Sequence, residues 1–216
     1  MLKKYIIPFL TIFIFSACSL KMPTFELPSF LSFKEDYSKI LTEANVCQVL
    51  ESDNDKLSCY KKIEAKNSFA QIRLGTYYAD KKDYSSALKY LNQAKNNKNI
   101  YANLPLAFLY YKGEGVSKDI SKSFELLEDS SSIDPIAAYQ LSRFYLQGIN
   151  TKIDVSKGIS LLEFAASKNL LVAQQMLVNI YSNGLFSVEK DAKKVKIYED
   201  MIKKDIRDSN FDIYKI

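Results

Sequence analysis

The amino-acid sequence predicts an all-α fold, a solenoid of stacked antiparallel helix pairs. Three observations carry that prediction. Gly and Pro number only 6 and 5 in 216 residues, and long runs rich in Ala, Leu, Lys, Glu and Ser lie between them; such runs favour helix. An Ala, an apolar residue one turn on, a small residue beside it and a Tyr a further turn on recur about every 35 residues. Each such segment is followed by a second apolar run that opens near an Asp. Two amphipathic helices cannot bury their faces alone, whereas stacked pairs share one continuous core.

The first element is an export signal. In MLKKYIIPFLTIFIFSACSL, Lys3 and Lys4 form a basic start. Tyr5 to Phe15 is apolar but shorter than the roughly 20 residues that span a bilayer. Phe15-Ser16-Ala17-Cys18 resembles a bacterial lipobox, with Phe15 where Leu is usual. The resemblance implies cleavage after residue 17 and acylation of Cys18 by chains such as palmitate, a stable membrane anchor. The alternative is an ordinary signal peptide followed by an incidental Cys. Ser19 stands where an Asp is absent, which in lipoproteins implies the outer membrane over the inner. Residues 1–17 are thus expected as signal peptide and residues 18–34 as a tether. The tether contains Pro23 and Pro28 and shows no helical period.

Two cysteines remain, Cys47 and Cys59, an even pair for an oxidising compartment. They flank Glu51–Asp55, a polar turn-like run between two helical stretches within residues 35–66. In an antiparallel hairpin the two can face each other, and a disulfide there stabilises by roughly 3 kcal/mol. Two buried free thiols are the alternative. The hairpin is expected to cap the repeats.

Residues 67–205 carry four copies of the repeat. The first has Ala70, Leu74, Gly75 and Tyr78; the second Ala102, Leu106, Ala107 and Tyr110. The third has Ala137, Leu141, Ser142 and Tyr145; the fourth Ala173, Leu177, Val178 and Tyr181. These spacings place Ala, the apolar residue and Tyr along one helical face, with the small residue allowing close approach of a partner helix. Asp83, Asp119, Asp154 and Asp191 open the second helices, as caps at the positive end of the dipole. The last three start Asp-x-x-Lys, with Lys122, Lys157 and Lys194.

LAFLYYKGEGVSKDISKSFELL (Leu106 to Leu127) resembles the Sel-one-like repeat, a relative of the tetratricopeptide repeat. Gly113, Gly115, Val116, Asp119 and Lys122 match its pattern, while Ala107 replaces a Gly. The third copy keeps Gly148 but has Asn150 for the second loop Gly, and the fourth keeps Gly184. The first lacks the Gly loop and looks more like a plain tetratricopeptide repeat. The resemblance implies a right-handed superhelix whose first helices line a groove. Residues 206–216 are left as a terminal helix or a short packed tail.

Composition argues for binding over catalysis. The chain has no His, so the commonest general base and metal ligand is missing. No metal, cofactor or enzymatic activity is expected. Gly113-Glu114-Gly115 follows a helix rather than a strand, lacks the Lys-Ser/Thr signature and carries a repelling Glu, so it is a turn and not a phosphate loop. The net charge of +5 is spread among acidic residues, unlike a nucleic-acid stripe. The resemblance implies groove positions at Thr76, Ala79 and Asp80; Phe108, Tyr111 and Lys112; Arg143, Leu146 and Gln147; and Asn179, Ser182 and Asn183. Phe108, Tyr111 and Arg143 are types enriched at hot spots, although Phe108 and Tyr111 could equally pack on the neighbouring repeat. The expected function is a lipid-anchored, periplasm-facing scaffold that binds a protein partner. It would serve an envelope machine such as a secretion, pilus or flagellar apparatus. The alternative is a cell-wall or polysaccharide-associated factor or enzyme.

Overall fold

The computed structural model describes residues 29–204 and 212–216, with side chains from Tyr37 onward. Among the described residues there are ten α-helices and no strand. They form five consecutive hairpins: α1 (Ser29–Gln48) with α2 (Asp53–Ile63), α3 (Ser68–Asp80) with α4 (Tyr84–Asn96), α5 (Asn103–Lys112) with α6 (Ile120–Ser130), α7 (Pro135–Gln147) with α8 (Val155–Ser167), and α9 (Leu171–Asn183) with α10 (Ala192–Lys203). Each hairpin packs on the next, so the fold is an α-solenoid. No described helix is long and apolar enough to cross a membrane. The expected signal peptide, Cys18 and most of the tether lie outside the described residues.

Two boundaries differ from expectation. Helix α1 starts at Ser29, inside the stretch expected as tether. No Gly or Pro interrupts residues 29–48, so nothing stops the helix from growing back toward Pro28. Helix α2 starts at Asp53, inside the run expected as a turn. There Ser52 Oγ accepts from the Asp55 amide, and Asp53 and Asp55 lie in the first turn, where the helix dipole favours carboxylates. The hairpin is clipped by a Cys47–Cys59 disulfide, Cα to Cα 5.5 Å.

The repeat residues form the core. Ala70, Ala102, Ala137 and Ala173 are fully buried, as are Leu74, Leu106, Leu141 and Leu177 to within a percent. The small residue does what the spacing asks: a Cβ on Gly75 would stand 2.6 Å from Leu91 Cγ. In the third pair the close approach is shared with the partner helix, where a Cβ on Gly158 would meet Leu146 Cγ at 2.7 Å and Ser142 O at 3.3 Å. The bulkier Val178 is half-buried.

The loops within the four repeat hairpins, α3–α4 to α9–α10, close in one way. The carbonyls of Tyr78, Tyr110, Tyr145 and Tyr181 accept from the amides of Asp83, Asp119, Asp154 and Asp191 at 2.9–3.0 Å. The same Asp side chains accept from amides in the first turn of α4, α6, α8 and α10. The loop glycines serve this closure. Gly113 ends α5 at φ +77, and Gly115, at φ +72, lies so near Tyr84 Cβ that an added methyl would sit 2.4 Å away. Where the third copy has Asn150, that residue adopts φ 56, which Asn tolerates better than most side chains. The Gly-x-Gly is therefore a hinge.

The recurring Lys stitches neighbouring repeats. Lys157 Nζ donates to Tyr145 Oη, which donates to Glu128 of the preceding hairpin at 3.3 Å. Lys194, Tyr181 and Glu163 repeat the arrangement one hairpin on. In the second copy Lys122 turns instead to Glu125, at 2.8 Å. The repeated Tyr rings stack on aromatic neighbours: Tyr78 on Tyr90, and Tyr181 on Tyr198.

Candidate functional site

The first helices α1, α3, α5 and α7 share one face, and residues 212–216 lie against it. Four side chains of the solenoid hold this segment. Gln48, the last residue of α1, donates Nε2 to the carbonyls of Asp212 (3.1 Å) and Lys215 (2.9 Å). Its Oε1 accepts from the Asp212 amide at 3.2 Å. On α3, Arg73 Nε donates to the Asp212 carbonyl at 3.2 Å, and Thr76 Oγ1 to that of Tyr214 at 2.6 Å. Tyr214 Oη donates to Asp134, the N-cap of α7, in a short hydrogen bond. The segment turns at Ile213 and Tyr214, and Asp212 makes the turn by accepting from the Tyr214 amide at 2.8 Å. Of the two alternatives for the C-terminus, these residues take the packed tail.

Arg73 is the unusual group. It is 0% exposed, and its other nitrogens reach Asn45 Oδ1 at 2.6 Å and Tyr60 Oη at 3.4 Å. The Tyr60 ring lies 5.7 Å from the guanidinium. Burial lowers the Arg73 pKa, opposed by Tyr60 and by the charge of Asp212. Asp134 is 1% exposed. Burial raises its pKa, opposed by the hydrogen bond from Tyr214 and by the Ile136 and Ala137 amides. Tyr214 is pushed well above the usual phenol range, by burial first and then by the charge of Asp134.

Next to the tail lies a small open cleft of about 50 Å³ lined by Phe108, Tyr111, Gln140, Arg143, Phe144 and Ile149, among others. Phe108 also lines the tail-side cleft with Thr76, Leu104, Pro105 and Tyr214; it is the wall between the two. Phe108 and Tyr111 are 37% and 36% exposed. The Tyr111 ring packs edge-on against Phe144 of the next repeat at 5.8 Å and also lines the cleft. Arg143 is exposed and donates to Gln140 at 3.0 Å.

The other groove positions spread out. Thr76 is taken by the tail. Asp80, Lys112, Gln147 and Asn183 are exposed at the C-terminal ends of α3, α5, α7 and α9, with Lys112 3.7 Å from Glu114 and Asn183 bonded to Asn179 at 2.6 Å. Ala79 is half-buried, Ser182 exposed, and Leu146 only 3% exposed. Leu146 is therefore core, since it fills the space beside Gly158. Among the described residues no group of three or more His, Cys, Asp or Glu gathers as a metal site.

None of Gln48, Arg73, Asp134 and Tyr214 is among the residues that the repeat pattern marks. Arg73 carries a legible signal: it is a charge between Ile72 and Leu74, one turn before Thr76 and so on the same helical face. Tyr214 has none, because its partners are distant in sequence.

The closure of its loops and the face of its first helices define this molecule as a helical-repeat solenoid of the tetratricopeptide-like class. More narrowly, residues 68–99, 101–131 and 135–170 match the Sel1 repeat model. These three segments are similar to the Sel1 repeat, and Sel1 repeat proteins generally mediate protein–protein interaction. The α9–α10 hairpin lies beyond the match yet keeps the same loop closure. Among solved structures, a Sel1 repeat protein from Oxalobacter formigenes superposes with a TM-score of 0.69 at 19% identity, over 81% of this chain and 72% of that one. The protective antigen c5321 of uropathogenic Escherichia coli gives 0.59 at 19% identity, over 84% and 41%. Immunity protein Pa5087 of Pseudomonas aeruginosa gives 0.58 at 17% identity, over 82% and 71%. At such identities the likeness is one of fold. No curated protein matches the chain.

Proposed function

We propose that this protein is a lipid-anchored scaffold of the bacterial envelope that holds a protein partner on its first-helix face. The observation that carries the binding role is the meeting of Phe108, Tyr111 and Arg143 at one open cleft. Half-exposed aromatic rings beside a guanidinium are the chemistry that dominates binding energy at protein interfaces. The anchoring role rests on Cys18 and its lipobox-like context. The Cys47–Cys59 disulfide supports an exported setting, since such bonds persist in oxidising compartments. The outer membrane and service to an envelope assembly are parts of the same proposal.

Photo-crosslinking in the native cell tests the binding role. A crosslinker at Arg143 is expected to capture a defined protein, whereas one at Ser160, exposed on a second helix, is not. Phe108→Ala combined with Arg143→Glu should cut the Arg143-neighbour crosslink, placed then at Gln147, at least tenfold without lowering the melting temperature. Recovery of glycan fragments in place of a protein would overturn the protein-scaffold reading. For the anchor, Cys18→Ala should abolish labelling by a fatty-acid analogue; persistent label would refute lipidation at that residue.

A further inference from the structure

The tail is held as a ligand is held. Gln48, Arg73 and Thr76 contact only its main chain, through three carbonyls and one amide. Such contacts fix position without reading sequence. Two side chains of the segment are read. The Tyr214 hydroxyl reaches the buried Asp134, and the Asp212 carboxylate shapes the turn while its charge opposes the desolvation of Arg73. Asp134 and Arg73 are almost wholly buried; one oxygen of Asp134 meets the Tyr214 hydroxyl and Nε of Arg73 meets the Asp212 carbonyl. A buried guanidinium and a buried carboxylate are costly unless answered. Their presence here marks a built site for an Asp-x-Tyr segment rather than an apolar face that the tail happens to cover.

We propose that this face binds an Asp-x-Tyr segment of the partner protein, and that residues 212–216 are its built-in competitor. This rests on the scaffold reading above and names the chemistry of the partner. The occupant is a short turn-forming peptide in which Asp closes an Asx turn and offers its carbonyl to Arg73, and Tyr seats its hydroxyl on Asp134. Because Phe108 divides the two clefts, chain continuing from such a segment runs past it to Tyr111 and Arg143. The tail acts from within the same molecule, so it competes at the high effective concentration of a tethered group and keeps the site closed to weak ligands.

The test uses the full chain and a fluorescent peptide of residues 211–216, Phe-Asp-Ile-Tyr-Lys-Ile, by anisotropy. Tyr214→Ala frees the site, and this variant is expected to bind the peptide at least tenfold more tightly than the native chain does. Replacing Tyr by Phe in the peptide should weaken binding about tenfold, as loss of one hydrogen bond to a charged acceptor does. Equal binding to native and variant chains, or no preference for the Tyr peptide, overturns the proposal. A second measurement needs no variant: on the native chain, saturating peptide should speed hydrogen exchange of residues 212–216, and unchanged exchange overturns the proposal. If the peptide fails while the Arg143 crosslinker still captures its protein, the competitor idea falls and the scaffold reading stands.

Discussion

Arg73 and Tyr214 are the residues on which the first-helix face turns. A guanidinium with no exposed surface needs an answer for each donor, and here Asn45, Tyr60 and a tail carbonyl supply it. Arg73→Ala removes a buried side chain and strands those acceptors; it should destabilise by roughly 3 kcal/mol, read as a lower urea midpoint. Tyr214 makes a pH prediction. Its folded pKa is raised above the ordinary 10.0, so the protonated phenol is favoured in the docked state. Its contribution is therefore complete below pH 10 and is lost as pH climbs above it. The stability difference between the native chain and Tyr214→Phe should shrink with rising pH above 10. Subtracting the variant removes the other tyrosines, several of which are also raised. A difference that stays constant to pH 12 would show that Tyr214 is not buried against Asp134.

At the scale of the element, each repeat hairpin depends on one Asp that does two jobs. Its amide ties back to the repeated Tyr carbonyl, and its carboxylate caps the second helix. Asp154 shows both, donating to Tyr145 O at 3.0 Å and accepting from the Lys157 amide at 2.9 Å. Only the second job is lost on substitution, because the amide belongs to the main chain. Asp154→Ala should therefore cost about 1 kcal/mol, and Asp154→Asn only a few tenths, since Asn caps nearly as well. Urea denaturation of the two variants separates them. The inter-repeat Lys–Tyr–Glu links are half-exposed and add less, about 0.5 kcal/mol each.

For the whole molecule, the tail changes what kind of solenoid this is. Repeat arrays have contacts only between neighbours, and their cooperativity decays along the array. Here Asp212 meets Gln48, 164 residues earlier in the chain, and Tyr214 packs against the buried clusters of both the first and the middle hairpins. The segment ties α1, α3 and α7 together across the stack. Tyr214→Ala should therefore broaden the urea transition, as the hairpins come to unfold more independently. An unchanged slope would mean that neighbour contacts alone carry the cooperativity.

The sequence by itself determined the helix pairs, their period and the caps, and left the Cys47–Cys59 disulfide as one of two alternatives that the structure decided. The pairs, the period and the caps depend on residues a few positions apart: Ala70 with Leu74, Asp154 with Lys157. Local spacing maps onto helix faces and loop closures by fixed geometry, so such features are legible without coordinates. Phe108, Tyr111 and Arg143 were legible as types at inner positions, but only packing showed that they meet in one cleft. What the tertiary structure alone decided is the occupation of the neighbouring cleft. The contact of Tyr214 with Asp134 and of Asp212 with Gln48 and Arg73 joins segments far apart in the chain, and no local pattern encodes it. It exists because Gln48, Arg73 and Thr76 offer polar groups to the main chain of one turn while Asp134, at the start of another helix, accepts from its Tyr.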